Sequence, residues 1–153
     1  MAVAAHVSRV AKDYAPFGYS IVEEIVATVK TPASGVVADI LLLDIVNDAD
    51  IYIEDISLFS VSAIAADNTN RINFLMESLT DGGGGTTNLA ASDTRAANLN
   101  GLSANGIKAL PILNRYVTAS PARAIKWTVT KNADDSTTQN LVIGVRLRYR
   151  RKA

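Results

Sequence analysis

The chain has 153 residues, 48% apolar and 20% charged, a composition that suits one folded domain and excludes both a disordered chain and a membrane protein. Fifteen basic residues balance fifteen acidic ones, so no bulk positive field exists to attract nucleic acid. There is no cysteine, which removes disulfides and thiol catalysis.

Residues 1–20 are predicted to be a flexible N-terminal arm or a short helix. Val3, Val7, Val10 and Tyr14 share a helical spacing that would dock on a neighbour, and no secretory leader is expected. From Ile21 to Ala153 period-two alternation dominates, which predicts a single β domain. SIVEEIVATVK is the first strand, and the turn TPASG follows. VVADILLLDIV is apolar on nearly both faces, the pattern of a central strand covered on both sides. Interrupted by Asp39 and Asp44, it is too short to cross a bilayer, so no membrane partner is expected. After the turn NDAD, DIYIEDISLFSVSAIA places Ile51, Ile53, Phe59 and Val61 on one face, and the two runs predict a hairpin.

RINFLMESL fits a strand or a short helix. Residues 80–106, rich in Gly, Ala, Asn, Ser and Thr, are predicted to be a long loop excursion ordered by a neighbour. In IKALPILNRYVTAS, Pro111 argues for an edge strand. AIKWTVTK puts Ile125, Trp127 and Val129 inward and Lys126, Thr128 and Lys131 toward solvent or the opposite face. The polar loop NADDSTTQN and the closing strand LVIGVRLRYRRKA complete seven or eight strands. The expected fold is all-β: an antiparallel β-sandwich, jelly-roll-like, with a flexible N-terminal segment and a long Gly/Ala-rich loop.

Catalytic chemistry is thinly supplied, and no enzyme and no cofactor are expected. The single histidine, His6, lies in the arm, where nothing would hold its ring for acid–base work. GLSANG lacks the spacing of a nucleophile elbow, and DGGGG lacks the Lys-Ser/Thr of a phosphate loop. Asp44, Asp48 and Asp50 invite a cation. Ile53 and Phe59 stand where an EF-hand needs Gly and Glu, so a solvated turn is the plainer reading. Glu23 and Glu24 are adjacent and point to opposite faces of a strand. Trp127 reads as a core anchor and not as a sugar-stacking platform.

Charge is unevenly placed. Thr31 to Asn70 holds seven acids and no Lys or Arg, whereas Arg146, Arg148, Arg150, Arg151 and Lys152 crowd the last eight residues. Two explanations stand open: pairing between neighbouring strands of one chain, or complementary patches that set subunits in register. For the alternating row Arg146, Arg148 and Arg150 there are three readings. Phosphate binding lacks interleaved aromatics, because Tyr149 lies on the opposite face. The others are protection of a sheet edge and bidentate pairing with carboxylates of a neighbour.

The runs VVADILLLDIV, DIYIEDISLFSVSA, AIKWTVTK and GVRLRYRR, in a cysteine-free chain of this length, resemble the small jelly-roll cement or decoration proteins on the heads of tailed bacteriophages. The resemblance covers most of the chain from about Ile21 onward and rests on architecture. It implies a structural virion protein, a homo-trimer or homo-dimer that binds between major capsid proteins. Such a protein stabilises the head from the capsid surface and is made in the host cytoplasm. The protein–protein contacts would then come from Val3, Val7 and Val10, the 80–106 excursion, and Arg146, Arg148, Arg150, Arg151 and Lys152. A self-assembling coat protein and a β-sandwich receptor- or glycan-binding module are the alternative functions.

Overall fold

INFLMESL shows most plainly how this sequence makes a strand. Ile72, Phe74, Met76 and Ser78 are buried in strict alternation with half-buried neighbours, the signature of a sheet with one face in a core. The computed structural model describes residues 4–7, 19–45, 49–79, 86–119, 123–132 and 140–152. Its strands are β1 (Ala4–Val7), β2 (Tyr19–Lys30), β3 (Val37–Ile45), β4 (Ile51–Ser60) and β5 (Ile72–Leu79). They continue with β6 (Thr86–Asp93), β7 (Ile107–Ala109), β8 (Tyr116–Val117), β9 (Arg123–Lys131) and β10 (Val142–Lys152). No helix occurs among the described residues.

The strands form two antiparallel sheets, ordered β1-β2-β10-β4-β7, with β8 also on β4, and β3-β9-β5-β6. Pairing is nested: β2 with β10, β3 with β9, β4 with β7, and β5 with β6. One long hairpin has in effect been rolled into two layers, so the expected jelly-roll-like sandwich is the fold observed. Between the sheets lie Trp127, Phe74, Leu42, Met76, Leu89 and Leu147, all fully or almost fully buried.

Nested pairing corrects several expectations. The β3 and β4 runs are not a hairpin; they belong to different sheets. Nor is β3 a central strand. It is the edge of the four-stranded sheet, where Val37 is 57% exposed and Val36 is exposed beside it. Ala4–Val7 is a strand paired with β2, from Ala4 opposite Val26 to Val7 opposite Glu23, and not a turn of helix. A ready-made antiparallel edge satisfies its backbone groups, which outweighs a short helical spacing. Lys131 shares the inward parity of Trp127 and Val129 and is buried, not solvent-facing.

Within the predicted 80–106 excursion, residues 86–106 are not structureless either. Thr86–Asp93 pairs with β5, and Leu89, Ala90, Leu99 and Leu102 are buried in the common core. Asp93 fastens the turn that follows. Its carboxylate accepts from the Arg95 backbone N–H at 2.9 Å, from Arg95 Nη2 at 2.7 Å and from Asn98 Nδ2 at 2.9 Å. Gly101 then adopts φ +73°, and a side chain there would strike the backbone of Ile64 and Ala66.

These bonds, the Arg95 side chain first among them, hold the Asp93 carboxyl down at about 2. A carboxyl with a lowered folded pKa stabilises the fold above its unfolded value and loses that contribution as pH falls through the folded one. Asp93→Asn is therefore expected to cost about 1–3 kcal/mol at neutral pH. It should also flatten the loss of wild-type stability between pH 4 and pH 2, followed by circular dichroism during acid titration.

Candidate interaction surface

β10 lies between β2 and β4, with hydrogen-bonded neighbours on both sides, so its arginines do not protect a sheet edge. Alternation sends Ile143, Val145, Leu147 and Tyr149 into the core. Arg146, Arg148 and Arg150 therefore stand on the outer face of the six-stranded sheet. Each meets a carboxylate from an adjacent strand. Arg146 Nη2 is 3.3 Å from Asp55, Arg148 Nε is 3.7 Å from Glu24, and Arg150 pairs with Glu54.

A β-bulge makes this ladder possible. Opposite β10 the register of β4 jumps from Asp55 to Ile53, leaving Glu54 without a counterpart. A bulge inserts one residue and reverses the parity beyond it. Glu54 and Asp55, which simple alternation would send to opposite faces, both meet arginines of the outer row. The same slip keeps Ile51, Ile53, Ile56 and Leu58 in the core and turns Phe59 and Val61 outward, against the expectation for those two.

At the sheet's end Arg151 Nε lies 3.2 Å from Glu23 and its guanidinium sits over the Tyr149 ring; Lys152 Nζ is 3.9 Å from Asp50. Burial, and after it the Glu23 carboxylate, pushes the Tyr149 phenol well above its ordinary range. Each of the five C-terminal cations thus meets a carboxylate of the same chain, and three of those carboxylates, Asp50, Glu54 and Asp55, come from the acidic 31–70 segment. Such half-exposed pairs contribute about 0–1 kcal/mol each.

Two exposed patches border the ladder. Toward the start of β10, Val142 lies beside Val61, and Phe59 lies between Gly144 and Ile107, its register partners. Val61 is 59% and Ile107 64% exposed. At the other end Tyr52 and Tyr116 face each other with ring centroids 5.2 Å apart, and the Arg115 guanidinium sits 6.0 Å above the Tyr52 ring. Tyr116 is 69% exposed. The aromatics missing from the outer face of β10 are brought to the arginine face by β4 and β8. Single-strand alternation carries no sign of that, because β8 reaches β4 only through the folded topology.

Of the predicted contact residues, the fold brings Arg146, Arg148, Arg150, Arg151 and Lys152 together on one strand. Val7 stands apart in β1, opposite Glu23. Val3 and Val10 lie outside the described residues, as do Tyr14, Asp48 and the DGGGG run. Asp50 accepts a hydrogen bond from the Ala119 N–H at 2.8 Å in addition to meeting Lys152. No group of three metal-ligating side chains occurs among the described residues. GLSANG forms part of the turn joined to Ile64 and contains no strand-to-helix elbow.

A scan of protein-family models finds no match, and a search of curated proteins finds none. Two solved structures of infectious bursal disease virus bear a weak likeness to the chain. For the Gx strain the identity is 16% and the TM-score 0.41, over 84% of this chain and 32% of that one. For the Gt strain the identity is 12% and the TM-score 0.33, over 99% of this chain and 38% of that one. The chain spans about a third of the length of each of these larger chains.

Proposed function

We propose that the chain is a structural protein of a virus particle, a capsid cement or decoration subunit. It works as a small homo-oligomer, a trimer or dimer, and binds between major capsid proteins at the capsid surface. The observation that carries this reading is the outer face of the six-stranded sheet. Its ionic groups are largely neutralised in pairs, and it displays an aliphatic patch at one end and a tyrosine pair at the other. Exposed apolar and aromatic groups around internally satisfied charges favour contact with protein, since little desolvated charge is left unpaired. The same neutralisation disfavours nucleic acid, whose backbone rewards uncompensated cations. The apolar edge β3 supplies a second surface, open to strand addition. Jelly rolls serve viral shells among other roles, and the fold suits this function.

Light scattering on the purified protein and co-sedimentation with empty shells test the proposal. A discrete oligomer that sediments with shells is expected; a monomer that ignores them overturns it, and large closed particles formed by the chain alone would make it a coat protein instead. Substituting Gln at Arg146, Arg148 and Arg150 together strips Asp55, Glu24 and Glu54 of these partners, and the added negative charge on the face is expected to weaken association. Folding should survive, at about 0–1 kcal/mol per pair lost. Association unchanged in affinity and in salt response would remove the arginine row from the interface.

A further inference from the structure

At the edge of the four-stranded sheet, β3 carries the residues of a central strand. It pairs with β9 on one side and has no strand on the other among the described residues. Yet Ile40, Leu41, Leu42 and Leu43 follow one another in it, apolar on both faces, and of these only Leu42 is fully buried. An edge left to water is normally blunted with charge, whereas a run that is apolar on both faces belongs inside a sheet. The composition of β3 thus fits the position it would hold once another strand joined it.

Charge points the same way. Register with β9 places Ile40 beside the inward Trp127, and Asp39 beside Thr128 and Leu41 beside Lys126 on the outer face. Asp39 is exposed, and its carboxylate has no hydrogen-bond or ion-pair partner among the described residues. Lys126 is held loosely, with its Nζ 3.9 Å from Glu77. An unpaired acid and a weakly paired base therefore lie close to the open edge, on the same face of the sheet.

We infer that β3 pairs antiparallel with β3 of a second copy, about a two-fold axis perpendicular to the sheet, joining two four-stranded sheets into one. This contact gives the proposed oligomer its subunit interface, and it rests on that reading for the oligomer alone. Directly opposite residues of antiparallel strands share a face, so the axis must fall where a residue meets its own copy. Centred on Ala38, the pairing would run into the turn at Gly35, whose φ is +75°. Centred on Asp39, it would oppose two carboxylates, which is destabilising. Centred on Leu41, it would set the outer Asp39 against Leu43, which the bulge between Leu41 and Leu43 turns toward the core. Centred on Ile40, it matches Ala38 with Leu42 on the core side and Asp39 with Leu41 on the outer side. Asp39 of each copy then lies two strand spacings, about 10 Å, from Lys126 of the other, a gap that a lysine closes by leaning over Leu41. Acid and bulge do not close the edge; they confine it to one register, as an open edge requires if it is not to pair at random.

Sedimentation velocity on the full chain tests the contact, with circular dichroism to check that each variant is folded. The wild type is expected to be a dimer. Leu41→Glu sets a second carboxylate opposite Asp39 and should raise the dissociation constant about tenfold or more. Adding Asp39→Lys to the same chain restores opposite charges across the axis and should recover most of that loss. The chain has no cysteine, so a single introduced thiol reads the register. Under oxidised glutathione Ile40→Cys should cross-link into a covalent dimer, and Val37→Cys should not. A monomeric wild type overturns the inference and the oligomer reading together. A trimer, a dimer indifferent to the charge variants, or cross-linking at Val37 in place of Ile40 overturns the inference alone.

Discussion

Replacing Trp127 with alanine is expected to remove about 3–5 kcal/mol of folding free energy. Globular domains are stable by only about 5–15 kcal/mol, so the loss threatens the fold itself. The indole is completely buried, and its backbone register places it opposite Ile40 on one side and Met76 on the other. Truncation empties the middle of the sandwich, and β9 cannot shift to fill the space without breaking register with two strands at once. Trp127→Phe separates volume from polarity. The indole N–H has no acceptor among the described residues, so phenylalanine discards an unsatisfied donor and keeps most of the packing. Its cost should be the smaller by a clear margin. Urea unfolding followed by far-ultraviolet circular dichroism reads both variants, and equal midpoints for Trp127→Ala and wild type would show the ring to be elsewhere.

The second large effect is expected at Gly144. It lies opposite Phe59 in the register of β4 and β10, and a β-carbon there would collide with the carbons of the Phe59 ring. The glycine is thus a seat for the aromatic ring on the outer face, required by space and not by backbone conformation. Gly144→Val should cost about 1–3 kcal/mol through overpacking, with Gly144→Ala costing less. In a Phe59→Ala background the same valine should cost far less, and the double-mutant cycle measures the coupling directly. Because a displaced ring would rearrange the patch of Val61, Val142 and Ile107, the single variant should also alter oligomer formation. Additive costs in the cycle would mean that the ring and the glycine do not touch.

Period-two alternation was enough to read β2, β3, β4, β9 and β10, the sandwich and the inward face of Ile125, Trp127 and Val129, because each depends on one strand's contact with a core. Pairing was less legible. VVADILLLDIV and DIYIEDISLFS are separated by a short polar turn, and such a turn can close a hairpin or carry the chain to the other sheet; only the nested partners decide. Bulges hide equally well. Glu54 is one residue among ten in β4, yet it sets whether Phe59 and Val61 face the core or the solvent. The excursion from 80 to 106 looked loose because its small polar residues dominate the composition, whereas its order comes from four buried apolar residues and one carboxylate clamp. As for the arginine row, its partners are distant along the chain: 91 positions separate Asp55 from Arg146, and 128 separate Glu23 from Arg151.

The place of β10 bears on how the molecule is made. Every other described strand precedes it in sequence, yet it fills the gap between β2 and β4. Until it is inserted, the larger layer is two separate pieces with their backbone edges bare. Closing loops of that length before any reward is collected slows the search, and β topologies of this kind fold over roughly milliseconds to seconds. During synthesis β10 emerges after every other described strand, so the larger sheet holds a vacant slot in the interval, when a chaperone, or a neighbouring chain's β10, has its best opportunity to intervene.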